Sequence, residues 1–326
     1  MKHIKDFSDI TKKDVNLAGG KGASLGEMTK AGFNVPPGFV VIADAFDRFL
    51  DETDLIVEVG AALDEVDKEV MHTIENASEK IQALINNTEI PKDIADEIVE
   101  EFNSLGTKFV AVRSSATAED SARAAWAGQL DTFLNTTKKD LLENVRKCWA
   151  SLFTPRAIFY RFEKGLHGEK ISVAVVVQKM IEPEVSGIGF SVHPVTEDRN
   201  QLIIEAGFGL GEAIVSGQIT PDSYVVKKKE GVIEDISVNT QQKMLVKVDT
   251  VAGVENKWQN IPEETGKTQK LTEKQIKEVA NIIIKLEKHY KFPVDIEWSI
   301  EKGKLYVLQS RPITTLKWTW FNVLNY

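Results

Sequence analysis

Two short runs near the carboxyl end constrain the chain more than any other stretch: Pro293-Val294-Asp295-Ile296-Glu297-Trp298-Ser299-Ile300 and Leu305-Tyr306-Val307-Leu308-Gln309-Ser310-Arg311-Pro312. Side chains on a strand alternate between faces, so Val294, Ile296, Trp298 and Ile300 share one side while Asp295, Glu297 and Ser299 share the other. The intervening Glu301-Lys302-Gly303 predicts a three-residue hairpin loop with its glycine in the left-handed region. That register pairs Ile300 with Lys304, Trp298 with Tyr306 and Ile296 with Leu308 on the apolar side. It pairs Asp295 with Gln309 and sets Glu297 opposite Val307, diagonal to Gln309. Two carboxylates, an amide oxygen and the Arg311 guanidinium then gather on one surface at cross-strand distances of about 5 to 8 Å. Oxygen ligands beside a cation are what a magnesium polyphosphate needs. The two runs alone fit equally a surface hairpin whose outer face is merely solvated.

The 326 residues suggest about two domains. With 42% hydrophobic and 27% charged residues the chain has ordinary globular composition. Its net charge of -9 argues against nucleic acid or an anionic membrane as a main partner, because both require a basic surface. A bound polyphosphate must therefore meet a local cluster of cations. One cysteine, Cys148, excludes an intramolecular disulfide and a cysteine-based zinc site. Its place among Val145, Trp149 and Leu152 predicts a packed helix residue. The start, Met1-Lys2-His3-Ile4-Lys5-Asp6, has no apolar signal core, and no run approaches the ~18 apolar residues of a membrane span. A cytoplasmic protein is expected.

Near the amino end, Ala18-Gly19-Gly20-Lys21-Gly22-Ala23-Ser24-Leu25-Gly26-Glu27-Met28 opens a helix ending at Ala31, with Gly32 as its carboxyl cap. Lys21 is followed by glycine, and Val15 stands where a Walker A loop has its first glycine, so this is not a P-loop. A glycine-rich turn still presents backbone N–H groups at a helix start, where an anion is stabilised and Lys21 adds a charge. A glycine turn with a solvated lysine is the alternative. Helices fill the stretch from Asp44 to about Leu105, with Asp93 expected to cap the one running from Ile94 to Phe102.

Phe109-Val110-Ala111-Val112-Arg113 is expected as a buried strand delivering Arg113 into the hydroxyl-rich loop Ser114-Ser115-Ala116-Thr117, a plausible phosphate clamp. Helices from about Lys139 to Phe153 and from Pro155 to Lys164 follow. The apolar run from Ile171 to Met180 predicts an interior strand, whose exit at Gln178, Lys179 and Met180 offers backbone groups that can read an adenine edge or can be an ordinary strand end. Further strands are expected at Val185–Ser191 and Leu202–Ala206. The segment Gly207-Phe208-Gly209-Leu210-Gly211-Glu212 lacks both the spacing and the βαβ context of a dinucleotide site. A second hairpin is expected around Lys229-Glu230-Gly231. The region from Val248 to Lys270 reads as polar and loop-rich. Thr272 with Gln275 predicts a capping box, and Ile276, Val279, Ile283, Leu286 and Tyr290 an apolar helix stripe.

Five passages in order resemble the ATP-binding module of the phosphoenolpyruvate synthase and pyruvate phosphate dikinase family. They are the glycine-rich opening through Pro36-Pro37-Gly38; Arg113 to Asp120 with Gly128 to Phe133; Gln178 to Met180; Gly209-Leu210-Gly211-Glu212 with Thr220-Pro221-Asp222; and Asp295-Ile296-Glu297-Trp298 with Leu308-Gln309-Ser310-Arg311-Pro312. The likeness runs from about Lys12 to Thr315. It departs at Ser121-Ala122-Arg123-Ala124-Ala125-Trp126, where relatives usually carry an acidic residue and proline before an Ala-Ser-Phe-Ala-Gly run.

The resemblance implies an α+β fold of ATP-grasp type, two lobes with the nucleotide cleft between them. The expected division is an N-terminal lobe with helical scaffold over 1–177, a C-terminal lobe over 178–316, and a tail or linker over 317–326. It implies that Lys21 and Arg113 bind phosphates, Gly128 and Thr132 belong to a loop over the triphosphate, and Gln178, Lys179 and Met180 contact adenine. Glu297 and Gln309 would hold Mg2+, with Glu212 in support, and Arg311 would contact the phosphoryl group in flight; Arg311, Lys21 and Arg113 are the expected catalytic residues. Cofactors are then ATP and Mg2+. None of His3, His72, His167, His193 and His289 has the setting of the family's carrier histidine. A carrier-histidine domain and a pyruvate-binding domain are therefore expected in trans or on further chain. A module of an antibiotic phosphotransferase acting on rifamycins, and a non-catalytic ATP-binding module, are the alternatives.

Overall fold

The structure, a computed structural model, describes residues 2–117, 120–121, 124–125, 131–166, 172–250, 253–314 and 316. Contacts group the chain into two units, Met1–Met180 and Ile181–Tyr326. Both are mixtures of helix and antiparallel sheet, an α+β architecture.

The strands of the first unit are β1 (Ile4–Asp6), β2 (Gly38–Val41), β3 (Val110–Ala116), the short pair β4 (Asp120–Ser121) and β5 (Ala124–Ala125), β6 (Thr132–Thr136) and β7 (Val173–Lys179). Its helices are α1 (Val15–Lys30), α2 (Ala43–Glu52), α3 (Leu55–Asp64), α4 (Met71–Asn87), α5 (Lys92–Ser104), α6 (Leu141–Ala150) and α7 (Pro155–Glu163). The main sheet has the order β1-β2-β7-β3-β6. The apolar run expected as an interior strand is its central one, and Val173 to Val177 are fully buried. One face of the sheet, carrying Phe39, Val41, Val110, Val112, Val175 and Val177, packs on the helices. Trp149 of α6 lies there against Phe46 and Phe49, with ring centroids 5.6 and 5.0 Å away. Cys148 beside it is buried, as expected, and burial pushes its thiol pKa well up.

The cap of α1 is the one read from sequence. Gly32 has φ 80°, Gly32 N–H donates to Thr29 O, and Phe33 N–H donates to Met28 O, the paired bonds of a Schellman motif. Two expectations need correction. Asp93 does not cap α5: Pro91 holds that position, and Asp93 in the first turn instead binds Arg48 at 2.6 Å. Arg113 is not at a strand end, because Ser114, Ser115 and Ala116 continue the ladder against Val175, Ala174 and Val173.

In the second unit a sheet of order β11-β10-β9-β8-β14-β15 is built from β8 (Val185–Phe190), β9 (Gln201–Phe208), β10 (Asp222–Lys227), β11 (Val232–Ser237), β14 (Val294–Glu301) and β15 (Lys304–Pro312). A separate ribbon pairs β12 (Lys243–Thr250) with β13 (Gly253–Asn260). This corrects the loop-rich reading of that region: cross-strand partners such as Leu245 and Trp258 hold polar sequence in register. The helices are α8 (Glu212–Val215), α9 (Glu263–Gly266) and α10 (Glu273–Tyr290). The predicted capping box of α10 is present, with Thr272 accepting from Gln275 N–H and Gln275 accepting from Thr272 N–H. Its buried Ile276, Val279, Ile283 and Leu286 cover one face of the sheet. That face is kept low by glycine, since a Cβ on Gly189 would sit 2.6 Å from Ile283 Cδ1.

The hairpin of β14 and β15 forms in a different register from the one expected. Glu301 pairs with Lys304, leaving a two-residue loop, Lys302-Gly303, with φ 51° and 73°. Two positive φ values make the primed turn whose twist matches the flanking strands. A bulge then takes up Leu308, so that Glu297 directly opposes Gln309 and Asp295 opposes Arg311.

Candidate functional site

In the first unit the site is organised by a close approach of α1 to β3. Gly19 interrupts α1 with φ 67° and ψ 175°, so a fresh helix turn begins at Gly20 and Lys21. A Cβ on Gly19 would lie 2.2 Å from the backbone oxygen of Ser115, and only glycine permits the contact. The Ser115 hydroxyl donates to Ala18 O at 2.9 Å and accepts from Gly22 N–H at 3.2 Å. This one side chain ties the residues before and after Lys21 to the strand that carries Arg113 two positions earlier.

Register shows what shares that face. Arg113 is paired with Val176 and Thr132, Gln178 with Ala111 and Gly38, and Val176 with Val40, which packs on Gly22. Arg113, Thr132 and Gln178 therefore lie on the α1 side of the sheet, opposite the helical core. Gln178 is buried and its amide donates to Pro36 O at 3.4 Å. The N–H groups of Lys179 and Met180 are donated to Pro37 O and Phe109 O, so a base reaching these two residues would meet their carbonyls. Gly128 lies outside the described residues. Asp131 O accepts from both the N–H and the hydroxyl of Ser114.

In the second unit Glu297, Gln309 and Arg311 are brought to one face. Arg311 Nε donates to both Asp295 oxygens, at 2.9 and 2.8 Å, which fixes Asp295 and Arg311 on the same side. Glu297 is the next residue of that parity on β14. On the opposite side Trp298 is buried, packs on Gly187 and donates its indole N–H to Ile188 O at 3.2 Å. Asp295, seen in the sequence pattern but not among the residues singled out there, is thus the partner that orients Arg311. Glu212 sits at the start of α8 and accepts from Asn256 Nδ2 at 3.2 Å.

Sequence reasoning passed over Glu205. It is paired with Ile188 on β8, which is in turn paired with Glu297, so Glu205, Ile188, Glu297 and Gln309 form one row across four strands. Among the described residues its carboxylate has no hydrogen bond or ion pair, and desolvation alone raises its pKa. The signal was available in the alternation of Ile203, Glu205 and Gly207, but the apolar context made it read as an ordinary strand.

An oxygen-only pair of ligands, one carboxylate and one amide, with a guanidinium on the same face is suited to a hard cation bound together with phosphate. Among the described residues no group of three or more His, Cys, Asp or Glu side chains is placed to hold a metal by itself. Among them, too, no helix is long and apolar enough to cross a membrane. Residues 15–319 match the family described as pyruvate phosphate dikinase, AMP/ATP-binding domain.

The chain belongs to that family.

Members of the wider group include a probable phosphoenolpyruvate synthase of Methanocaldococcus jannaschii, 46% identical over 324 residues, covering 97% of this chain and 27% of the relative. The phosphoenolpyruvate synthase of Pyrococcus furiosus is 40% identical over 359 residues, covering 96% of this chain and 44% of the relative. The rifampicin phosphotransferase of Bacillus subtilis is 40% identical over 316 residues, covering 96% and 36%. The chain thus spans less than half the length of each of these relatives. As an AMP/ATP-binding domain it has the ATP-grasp-like α+β fold expected from its motifs.

Proposed function

We propose that the chain is the nucleotide-binding module of a phosphoenolpyruvate synthase, passing a phosphoryl group from magnesium ATP to a carrier histidine on a separate domain or protein. The observation that carries the reading is the bulged register of β14 and β15, which sets Glu297 opposite Gln309 and keeps Arg311 on their face. Glu297 and Gln309 would hold Mg2+, leaving its remaining positions to phosphate oxygens and water. When bound, the ion would neutralise charge on the phosphates. Lys21, at a helix start, and Arg113, on its strand, would bind the phosphate tail. Thr132 and Gly128 would border it, and Gln178 to Met180 would meet the adenine, with the carbonyls of Lys179 and Met180 as acceptors for its amino group. Arg311, aimed by Asp295, would stabilise the group in transfer as the histidine nitrogen forms its bond to the β-phosphorus and the bond to the AMP oxygen breaks, the γ-phosphate then leaving as inorganic phosphate by hydrolysis. Fixed cations of this kind are most of what a protein contributes to phosphoryl transfer.

Pyruvate as final acceptor is supported by the synthases among the relatives. A rifamycin as acceptor is the second reading, supported by the phosphotransferase at 40% identity. The test mixes the chain with magnesium ATP and a separately produced carrier-histidine domain. Phosphohistidine labelled from the β-phosphate is expected, with release of AMP and, by hydrolysis of the remaining phosphate, one equivalent of inorganic phosphate. Magnesium-dependent ATP binding without labelling would instead make this a binding module, and absence of that binding would sink the proposal. Supplying the labelled carrier with pyruvate or with a rifamycin, each with its acceptor domain, distinguishes the two readings.

A further inference from the structure

The larger sheet of the second unit ends on a strand that the described residues leave uncovered. β11 is the outermost strand of the order β11-β10-β9-β8-β14-β15, so alternate N–H and C=O groups along it point away from β10. Ile236 is paired with Tyr224, Tyr224 with Ile204 and Ile204 with Gly189, which lies against Ile283 of α10. Tyr224 and Ile204 in that row are fully buried, yet Ile236 at its outer end is 42% exposed, and Val238, the next residue of the same parity, 43%. A groove beside them is lined by Ile233, Ile236, Gln269, Glu273 and Lys277. Native edge strands are commonly blunted by charges or by a bulge. Here the bulge falls at Glu234, which turns to Lys227 at 2.8 Å, and it leaves Asp235 to Val238 open.

A second copy of the same strand fits this edge. In a two-fold pairing of strands, opposed residues share a face, so the axis passes through a residue and not between two. An axis through Glu234 or Asp235 would set two like carboxylates against each other, which is unfavourable. An axis through Ser237 would need Asn239 at the edge, but its N–H and its amide are donated to Asp222 and to Pro221 O. An axis through Ile236 sets that residue against its own copy, Asp235 against Ser237 and Glu234 against Val238. No like charges then meet, and the serine hydroxyl can donate to Asp235. Ile236 and Val238 of both copies lie together on the α10 face, at the mouth of the groove.

We propose that β11 pairs antiparallel with β11 of a second copy about an axis through Ile236, joining two six-stranded sheets into one in a reversible dimer. Residues 234 to 238 of each copy bury far less than the ~800 Å² per partner of a stable interface, so the dimer forms only at high concentration, with a dissociation constant on the order of 100 μM.

Sedimentation velocity of the whole chain from about 5 μM to about 500 μM tests this, and the native chain is expected to pass from monomer to dimer across that range. Ser237→Asp, which opposes Asp235 twice across the axis, should weaken the dimer about tenfold. Ser237→Lys, which makes two cross-strand ion pairs instead, should tighten it about threefold. Ser237 is exposed, so thermal melting of the dilute monomer should be the same in both variants. Hydrogen exchange at residues 235–238 should slow with concentration in the native chain and not in Ser237→Asp. A chain that stays monomeric at the highest concentration overturns the proposal. So does a dimer whose strength ignores both substitutions, as one formed through the exposed Ile56 and Val57 of α3 would. Protection of the same amides only on adding a different strand, with a synthetic Val-Lys-Val-Lys-Val peptide as the probe, would assign the edge to another partner and overturn it too.

Discussion

Replacing Gly19 by alanine tests whether the position of Lys21 is set by the approach of α1 to β3. Gly19 has φ 67° and ψ 175°, a combination essentially restricted to glycine, and an alanine there costs about 1–3 kcal/mol in backbone strain. The new Cβ would start 2.2 Å from both the backbone oxygen and the hydroxyl of Ser115. Relief to a contact of about 3.5 Å moves the helix start away by more than about 1 Å. Such a shift breaks the bonds of the Ser115 hydroxyl to Ala18 O and from Gly22 N–H, each worth about 1 kcal/mol. The expected loss is about 3–5 kcal/mol in urea unfolding, with a weaker affinity for ATP by calorimetric titration. Gly32→Ala is the reference: φ there is 80° but no atom lies within 4 Å of the added carbon, so strain acts alone. Equal stability of the two variants, with ATP affinity intact in Gly19→Ala, would falsify the argument that this contact places Lys21.

Gly187→Ala should destabilise by about 1–3 kcal/mol, since its Cβ would lie 1.9 Å from Glu205 O and 2.5 Å from Trp298 Cζ2; denaturant unfolding measures it, and a neutral result would mean β8 can shift freely. Lys270→Met should cost about 3–5 kcal/mol. The Lys270 ammonium and the Asp222 carboxylate are 3.0 Å apart with both side chains fully buried, and removing the cation leaves the anion, among the described residues, with the Tyr224 hydroxyl and the N–H groups of Asn239 and residue 270. A loss below about 1 kcal/mol in urea would refute the argument that this buried pair supports the fold. Asp14 accepts from the Thr11 hydroxyl and N–H at 2.8 Å, bonds that lower its pKa. Its stabilisation is full above the ordinary aspartate range and lost as pH falls through the lowered value, so Asp14→Asn should flatten the acid limb of a melting-temperature profile.

Local signals with a fixed geometric consequence were legible before any coordinates. The Schellman glycine at 32, the capping box at Thr272 and the alternation around Glu297 each specify a conformation through one or two side chains, and each is present. The register of the final hairpin was misjudged because Glu301-Lys302-Gly303 suits two loop lengths, and because nothing in Leu308 itself announces a bulge. Its chemical outcome survived, since Leu308 absorbs one residue and restores Gln309 and Arg311 to the face of Glu297. The ribbon of β12 and β13 was missed for a different reason. Its stabilisation is cross-strand, as where Lys243 Nζ lies 4.2 Å from the ring centre of Trp258, fifteen positions away along the chain. Glu205 was missed because a charge in an apolar strand acquires meaning only when two neighbouring strands are placed beside it.

The same pairing explains how the polar face of the hairpin is held in position by residues on its other face. Period two along β14 means that seating Val294, Ile296, Trp298 and Ile300 in the core obliges Asp295 and Glu297 to face the other way. A slip of one residue would expose those four buried side chains, at about 1.5–3 kcal/mol each, or about 6–12 kcal/mol together. That approaches the whole stability of a typical domain, about 5–15 kcal/mol. The charged groups on the opposite side add little to folding by comparison, so their placement is decided by apolar burial. Trp298 makes the coupling specific: its indole rests on Gly187 and bonds to Ile188 O, the strand that separates Glu297 from Glu205. The spacing between those two carboxylates is therefore a property of the core beneath them.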